Sequence, residues 1–491
     1  MVRLMIMHEA EQSHHWARLV GPVVALCCVV FLDIPDYPHA PAMLGIALWM
    51  AIWWIRECVP LALTALIPLI CFPLFGIATG KAVASHYVNS IIFLFMGGFL
   101  IAQAMENSGL HRRIALNMLA RLHAGPLQLA IGFSLATALL SMWISNTATT
   151  MLMVTIALPL QQRLMEEHGR EAIAPMASSF LLLIAYSANI GGMGTPVGTA
   201  PNLVFLEQLR QQAADAVPSF LDWMMVGVPM VVVGLLVLFA VLGPTLARLP
   251  WQASDGAGLQ RSLQALGRMR FEEKAVAWVL TATALLWVSR KGIHAGALQL
   301  SGWSAWLPYA GVDDGTVAML MAGVLFLLPA SAGGGILHRG SFQQLPWDIV
   351  LLLGGGFALA FGMRHAGLSA WIGTQLQFLH AVPLPVMLLA IAAVMIFLTE
   401  ITSNTATTQV MLPILAAASL AGGLDMSATM LVATLTASCA FMLPVATPPN
   451  AIIFGTGFVP MRQMVRCGLR LNLIMMFVVA AMVWLLRPLL P

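Results

Sequence analysis

The sequence predicts an all-α polytopic membrane protein with two inverted repeats, about 11 transmembrane helices and two re-entrant helical hairpins. Three observations carry this prediction. Hydrophobic residues make up 60% of the 491 residues, and charged residues make up only 9%. The word Ser-Asn-Thr-Ala-Thr-Thr occurs twice in apolar surroundings, at 145–150 and at 403–408. The basic residues concentrate in alternate loops between the apolar runs.

The composition excludes a water-soluble domain, because such a domain carries about 25% charged residues. A chain this long with so little charge cannot cover its own surface in water, so we expect an integral membrane protein with many spans. The net charge of +3 says nothing about nucleic acid, and we expect no nucleic-acid partner. The six cysteines lack metal-ligand spacing, and we interpret them as packing residues.

Apolar runs of suitable length assign the spans in order along the chain. Unbroken spans are predicted at 18–34, 40–55, 59–79, 89–107, 219–247, 275–289, 315–330, 347–365 and 467–486. Two further spans, 173–206 and 427–457, are each broken at a Thr-Pro pair, because proline cannot continue a helix. Runs 125–164 and 381–420 are too long for one crossing, and each is broken at a copy of the repeated word.

A shift of 258 residues, from Ser145 to Ser403, also superimposes Gly97-Gly98 on Gly355-Gly356. Matched, interrupted segments in two halves of a membrane protein indicate a binding site made from both. The predicted organisation is N-terminal scaffold helices at 1–88, a first repeat at 89–247 with hairpin 125–164, a cytoplasmic linker at 248–274, scaffold helices at 275–335, and a second repeat at 336–491 with hairpin 381–420.

The distribution of basic residues predicts the orientation. With the N-terminus inside, six basic residues fall in outer loops and the other 17 of the 23 fall in inner loops. This bias holds only if each hairpin enters and leaves on one side, the first opening inside and the second outside. The two halves are therefore predicted to be inverted, with the N-terminus cytoplasmic and the C-terminus outside.

The Ser-Asn-Thr tips predict an anion site. Ser, Thr and Asn are good N-caps, and the unpaired N–H groups and positive dipole end of the following helix attract an anion. Two inverted tips suit an anion with two negative ends, such as a dicarboxylate. In each half the break at the Thr-Pro pair, the second break of that half, frees backbone carbonyls. Together with Ser, Thr and Asn oxygens, these carbonyls suit a small hard cation.

Charge balance predicts cation coupling. No Lys or Arg lies between Arg121 and Arg163, nor between Arg364 and Arg462. Helix ends carry only about half a charge each, so bound cations must supply the remaining positive charge. Ser and Thr in membrane helices also bond the preceding turn, but two identical tips with matching second breaks favour binding. Glu400, three residues before the second tip, is compatible with a functional role or with a structural hydrogen bond.

The tips, together with Trp53–Pro60 and Ser438–Asn450, resemble the divalent-anion/sodium symporter family from about residue 40 to the C-terminus. The resemblance implies homodimers, a rigid scaffold, a transport domain that moves as an elevator, and two sodium sites. The implied ligands are Ser141, Ser145, Asn146 and Gly194 for the first sodium ion and Thr399, Ser403, Asn404 and Ala446 for the second. The implied substrate contacts are Asn146, Thr147, Thr195, Asn404, Thr405, Thr447 and Pro448. The break at 195–202 is longer than the break at 447–450, so it stays open which threonine of the longer break faces the substrate.

We therefore expect a sodium-coupled symporter that imports C4 dicarboxylates such as succinate, malate and fumarate across a bacterial inner membrane, in contact with lipid. A sodium-independent dicarboxylate exchanger and a citrate or sulfate carrier on the same fold remain alternatives. An enzyme is disfavoured because the chain has no His-Glu-x-x-His helix or other convincing metal or nucleophile constellation. A channel is disfavoured because the re-entrant segments are paired within one chain rather than arranged as a ring.

Overall fold

The computed structural model describes residues 2–122, 124–213, 216–250, 257–295, 298–308, 311–331, 333–376 and 381–489. The described chain is helical almost throughout, as the sequence predicts. The helices of the first half are α1 (Val2–Phe31), α2 (Ala40–Arg56), α3 (Leu61–Ala65), α4 (Ile67–Leu74), α5 (Gly80–Ala84), α6 (Ser90–Ser108), α7 (Leu110–Leu119), α8 (Pro126–Ser141), α9 (Asn146–His168), α10 (Arg170–Gly191), α11 (Ala200–Gln212) and α12 (Phe220–Leu246).

The second half continues the helical chain and adds one strand pair, β1 (Gly292–Ala295) and β2 (Leu298–Ser301). The strands are antiparallel, and Gly292 lies opposite Ser301. Its helices are α13 (Ala257–Ala265), α14 (Phe271–Ser289), α15 (Asp314–Leu327), α16 (Arg339–Gln343), α17 (Trp347–His365), α18 (Leu368–Gln375), α19 (Leu384–Thr399), α20 (Asn404–Gly422), α21 (Met426–Ala437), α22 (Pro448–Gly455) and α23 (Met461–Leu486).

Both long apolar runs are broken where the sequence predicts. Run 125–164 folds as α8 and α9, which are separated by 142–145. Run 381–420 folds as α19 and α20, which are separated by 400–403. Each second helix therefore begins at the asparagine of its Ser-Asn-Thr tip.

The other predicted breaks are also present, and one more is found. Run 173–206 divides into α10 and α11, and run 427–457 divides into α21 and α22. The predicted span 59–79 forms two short helices, α3 and α4, instead of one. Pro68 lies in the first turn of α4, where its missing N–H costs no hydrogen bond within the helix, so the chain breaks here at little cost.

Two short helices that the apolar runs do not indicate follow equivalent glycines. Gly109 ends α6 and Gly367 ends α17 with φ of 79° and 76°, a left-handed conformation that glycine adopts without strain. Helices α7 and α18 begin at the next residue in each case. The two halves therefore share this turn as well as the tips.

Glycine pairs let α6 and α17 approach their neighbours closely. A Cβ on Gly97 would lie 2.6 Å from the Cβ of Ala318 on α15. A Cβ on Gly355 would lie 2.4 Å from the carbonyl oxygen of Ala65 on α3. These contacts join α6 to α15 and α17 to α3 at nearly backbone-to-backbone distance.

The outer surface is apolar over long stretches, as a lipid-facing surface requires. Leu236, Trp278 and Leu285 expose about two thirds of their area, at 64%, 65% and 64%. Among the described residues, six helices are long and apolar enough to cross a membrane: Gly80–Ser108 as one continuous stretch, Arg170–Gly194, α12, α17, α20 and Met461–Leu489. Seven shorter apolar helices include the first arm of each hairpin and α21.

Candidate functional site

At the first tip, several oxygen atoms lie close together beside the start of α9. Ser145 is the N-cap, and its Oγ accepts the N–H of Ala148 at 3.2 Å. The Oγ of the fully buried Ser141 lies 2.5 Å from Oδ1 of Asn146 and 2.8 Å from the carbonyl oxygen of Ala188. One hydroxyl proton can satisfy only one of these two acceptors, so oxygen lone pairs are in excess at this point.

The second tip repeats this arrangement with a threonine. The Oγ1 of the fully buried Thr399 lies 2.6 Å from Oδ1 of Asn404 and 2.9 Å from the carbonyl oxygen of Ala437. Ser403 is the N-cap of α20. Both clusters offer a hydroxyl, an amide oxygen and a main-chain carbonyl, the oxygen donors that Na⁺, a hard cation, prefers. The residues therefore fit the cation sites that the sequence predicts.

The second breaks are shaped by equivalent asparagines. The Nδ2 of Asn202 donates to the carbonyls of Gly192 at 3.0 Å and Thr195 at 2.8 Å. The Nδ2 of Asn450 donates to the carbonyls of Ala440 and Leu443, both at 3.0 Å. In each half these bonds attach the unwound segment to the helix that follows it, α11 or α22.

The threonines before these asparagines start the next helices. Thr199 is the N-cap of α11, and Thr447 is the N-cap of α22, both with extended backbone. The spacing to the asparagine is the same in both breaks, so Thr199 is the structural equivalent of Thr447. The Nδ2 of Asn189, on α10, donates to Oγ1 of Thr447 at 3.2 Å and joins the two halves.

Both tips and both second breaks line one cavity of about 830 Å³. Its apolar walls include Phe95, Phe99, Trp143 and Leu352. The polar side chains and breaks that line it are Ser145, Asn146, Thr147, Asn189, Gly198, Thr199, Ser403, Asn404, Thr405, Ala446, Thr447 and Pro448. Glu57 is the one charged side chain among the described lining residues, and none of them is Lys or Arg.

Four helix N-termini end at this cavity, because α9, α11, α20 and α22 all begin at its wall. The starts of α9 and α20 bring unpaired N–H groups and about half a positive charge each, whereas α22 begins with Pro448 and Pro449, which have no N–H. The two hairpins thus present main-chain donors to the same space from both halves. Such an arrangement can bind an anion without a basic side chain.

The structure places most of the residues singled out by sequence at the cavity. Ser141 and Thr399 lie directly behind it, bonded to the tip asparagines. Thr195 is fully buried away from the cavity, and its Oγ1 donates to the carbonyl of Met142 at 2.5 Å. Gly194 also lies off the cavity, packed on the Met142 side chain.

Sequence comparison of the two breaks missed Thr199, Gly198 and Asn189. It aligned Thr195-Pro196 with Thr447-Pro448. The break in the first half, however, has four more residues between its Thr-Pro pair and its Pro-Asn pair. Counting back from Asn202 and Asn450 instead pairs Thr199 with Thr447 and Gly198 with Ala446. The Pro-Asn pairs were the signal that fixes the register.

The chain matches curated relatives along nearly its whole length. The sodium-dependent dicarboxylate transporter SdcS of Staphylococcus saprophyticus is 38% identical over 494 residues, which covers 98% of this chain and 93% of the relative. SdcS of Staphylococcus aureus is 37% identical over 480 residues, which covers 96% of this chain and 90% of the relative.

Solved transporter structures share the fold at low sequence identity. YdaH of Alcanivorax borkumensis superimposes with a TM-score of 0.56 at 12% identity, covering 98% of this chain and 100% of that one. MtrF of Neisseria gonorrhoeae superimposes with a TM-score of 0.59 at 14% identity, covering 96% and 94%. At such identities the likeness concerns the fold alone.

The family described as the sodium:sulfate symporter transmembrane region matches residues 13–490. This match spans nearly the whole chain and includes both tips and both second breaks. The protein is therefore an integral membrane transporter and not an enzyme, and it belongs to the sodium:sulfate symporter family, the divalent-anion/sodium symporters that its motifs resemble.

Proposed function

We propose that this chain is a sodium-coupled symporter that imports C4 dicarboxylates such as succinate, malate and fumarate. The observation that carries the proposal is the single cavity in which both Ser-Asn-Thr tips meet without a basic side chain among its described residues. An anion there needs positive charge beyond that of helix ends, and bound sodium ions supply it. The names of the SdcS relatives support both the cation and the substrate class.

Each substrate carboxylate is proposed to meet one tip and the second break from the opposite half. Asn146 and Thr147 serve one end, and Asn404 and Thr405 serve the other. Thr447 and Pro448 contribute from the second break. Thr199 takes the place that sequence comparison gave to Thr195, because Thr199 lines the cavity and Thr195 does not.

Two sodium sites are proposed at the two oxygen clusters. Ser141, Ser145 and Asn146 form the first, and Thr399, Ser403 and Asn404 with the Ala446 carbonyl form the second. For the remaining carbonyl of the first site we favour Gly198 over Gly194. Both the Gly198 carbonyl oxygen and Asn146 Oδ1 lie against the same face of Gly192, within 3.2 Å of where its Cβ would be, and Gly198 is equivalent to Ala446.

Transport is proposed to follow an elevator movement within a homodimer. In this scheme the hairpins and broken helices move together past a scaffold that contains α2, α3, α6, α15 and α17. A polar contact crosses the proposed sliding surface, where Nη2 of Arg364 on α17 donates to Oε1 of Gln211 on α11 at 2.9 Å. We place the chain in a bacterial inner membrane, with the N-terminus cytoplasmic and the C-terminus outside.

The test is radiolabelled succinate uptake into proteoliposomes that contain buffer only, under an inward sodium gradient or with potassium instead. Accumulation that requires sodium supports the symporter, and competition by malate, fumarate, citrate and sulfate then defines the substrate. Uptake that ignores sodium but needs internal dicarboxylate would move the assignment to an exchanger. Uptake of citrate or sulfate alone would keep the fold and replace the substrate.

A further inference from the structure

Two opposite charges lie near each other at the contact between α11 and α17. Glu207, on α11, is 5% exposed, and its Oε1 accepts a hydrogen bond from Nε2 of Gln211 at 3.1 Å. Oε1 of Gln211 in turn accepts a hydrogen bond from Nη2 of Arg364, on α17, at 2.9 Å. The Gln211 amide therefore stands between the carboxylate and the guanidinium group. It also links α11, which moves in the proposed elevator, to α17, which belongs to the proposed scaffold.

Each of these two charged groups keeps one atom without a partner. Oε2 of Glu207 and Nη1 of Arg364 are both buried and form no hydrogen bond with the described residues. Neither side chain takes part in an ion pair within the same part of the chain. A buried polar atom without a partner costs free energy, and each group here offers the kind of atom that the other lacks. The observed position of α11 therefore keeps a complementary pair apart.

The spacing along α11 shows what movement brings the pair together. Glu207 and Gln211 are four residues apart in one helix, so they lie on the same face and about 6 Å apart along the axis. A shift of α11 by one turn toward its own C-terminal end therefore carries the Glu207 carboxylate to the place beside Arg364 that the Gln211 amide now occupies. One-turn shifts between packed elements are an established form of conformational switching.

We propose that Glu207 and Arg364 form a direct ion pair in a second register of α11 on α17, one turn from the register described above. Arg364 then has a partner in both registers, the Gln211 amide in one and the Glu207 carboxylate in the other. The exchange of partners gives the moving part of the transporter two defined positions on the scaffold. This inference rests on the proposed function, because it concerns the movement by which the chain is proposed to transport its substrate.

The test is a double-mutant cycle on Glu207 and Arg364 in a Gln211→Leu background, where no amide links the two charges. The readout is the initial rate of succinate uptake into proteoliposomes at saturating sodium and succinate. We expect Glu207→Gln and Arg364→Gln each to lower this rate at least about tenfold, because each leaves one charge unpaired in the second register. The variant with both substitutions should recover to within about threefold of Gln211→Leu alone, because no unpaired charge remains. A double variant as slow as the product of the two single effects would overturn the inference.

A second variant, Glu207→Gln with Gln211→Glu, moves the carboxylate by one turn and keeps the net charge, so it remains informative if the single variants do not fold. It should melt at a higher temperature than wild type and transport at least about tenfold more slowly, because the ion pair then stabilises only the register described above. An unchanged uptake rate in this variant would contradict the two registers.

The matched control is the same cycle on Arg163 and Glu167, which form an exposed ion pair within α9 and do not join α11 to α17. Their substitution by glutamine should change the uptake rate less than about twofold. The proposed function fails on wild-type protein alone, if a sodium gradient drives no succinate uptake. The cycle compares variants with one another for whichever anion the wild type accumulates, so the two failures are distinguishable.

Discussion

At the scale of single residues, the proposed site shares the tip asparagines between cation and anion. Asn146 and Asn404 each place Oδ1 in an oxygen cluster, and each also begins the helix whose N–H groups face the cavity. We therefore expect cation binding to order the residue that presents the proposed anion site. This sharing gives a local physical reason why the substrate would bind poorly without sodium.

Replacing either asparagine should uncouple the site while the fold persists. We expect Asn146→Ala and Asn404→Ala each to reduce sodium-driven succinate uptake by at least about a hundredfold, because one change removes a cation ligand and an anion contact together. Elution as a single peak in size-exclusion chromatography controls for folding. Uptake near the wild-type rate in both variants would refute the assigned site.

The equivalence of Thr199 and Thr447 leads to a second prediction. Thr199→Val should raise the succinate KM about tenfold, because it removes a hydroxyl from the cavity wall, and Thr447→Val should act similarly. Thr195→Val is the control at the position that sequence alone favoured. It should leave KM unchanged and lower thermal stability, because the Met142 carbonyl loses its buried donor. The reverse pattern would restore Thr195 to the site.

At the scale of elements, the tips were predictable because their signals are local. A word of good N-caps inside an apolar run indicates where one helix ends and another begins, and this places α9 and α20 to the residue. Helices α7 and α18 were not foreseen, because the search for apolar runs finds membrane spans, and both helices are short, with α7 carrying His111, Arg112 and Arg113. The contact between Asn189 and Thr447 depends on packing between distant segments, which a single sequence does not contain.

Close packing of α6 on α15 predicts different effects for two glycines. Gly97→Ala should destabilise the protein by about 1–3 kcal/mol, because the new methyl group would overlap Ala318. Gly323→Ala, on α15, has no neighbour within 4 Å of the new atom and should be neutral or stabilise by up to about 1 kcal/mol. Thermal unfolding in detergent compares the two, and equal melting temperatures would contradict the packing argument.

At the scale of the whole molecule, the first turn of α14, at the end of the predicted linker, contacts distant parts of the chain. Arg113 of α7 pairs with Glu273, with Nε 3.0 Å from Oε1, and also donates to the carbonyl of Gly267 at 2.9 Å. Glu272 accepts the N–H of Ser331 at 2.6 Å. Both carboxylates precede the predicted span 275–289. They tie the segment between the halves to α7 of the first half and to the loop after α15 of the second.

Acid should loosen this junction. Hydrogen bonds from Ser331 lower the pKa of Glu272 from 4.5 to about 2. A lowered pKa gives stability that is fully present above pH 4.5 and is lost as the pH falls from there toward 2. Glu272→Gln should therefore melt at a lower temperature than wild type at pH 7, and the difference should shrink below pH 4.5. A difference that stays constant from pH 7 to pH 3 would contradict this account.

The bond between Asn189 and Thr447 has a further consequence for the two cation clusters. Asn189 follows Ala188, whose carbonyl oxygen lies 2.8 Å from the Ser141 hydroxyl in the first cluster. Thr447 follows Ala446, whose carbonyl is assigned to the second. The hydrogen bond from the Asn189 side chain to Thr447 thus connects the neighbours of the two clusters. An ion that orders one cluster is therefore expected to restrict the motion of the other. We therefore predict that the two proposed sites fill cooperatively and that sodium activates transport along a sigmoidal rather than a hyperbolic curve.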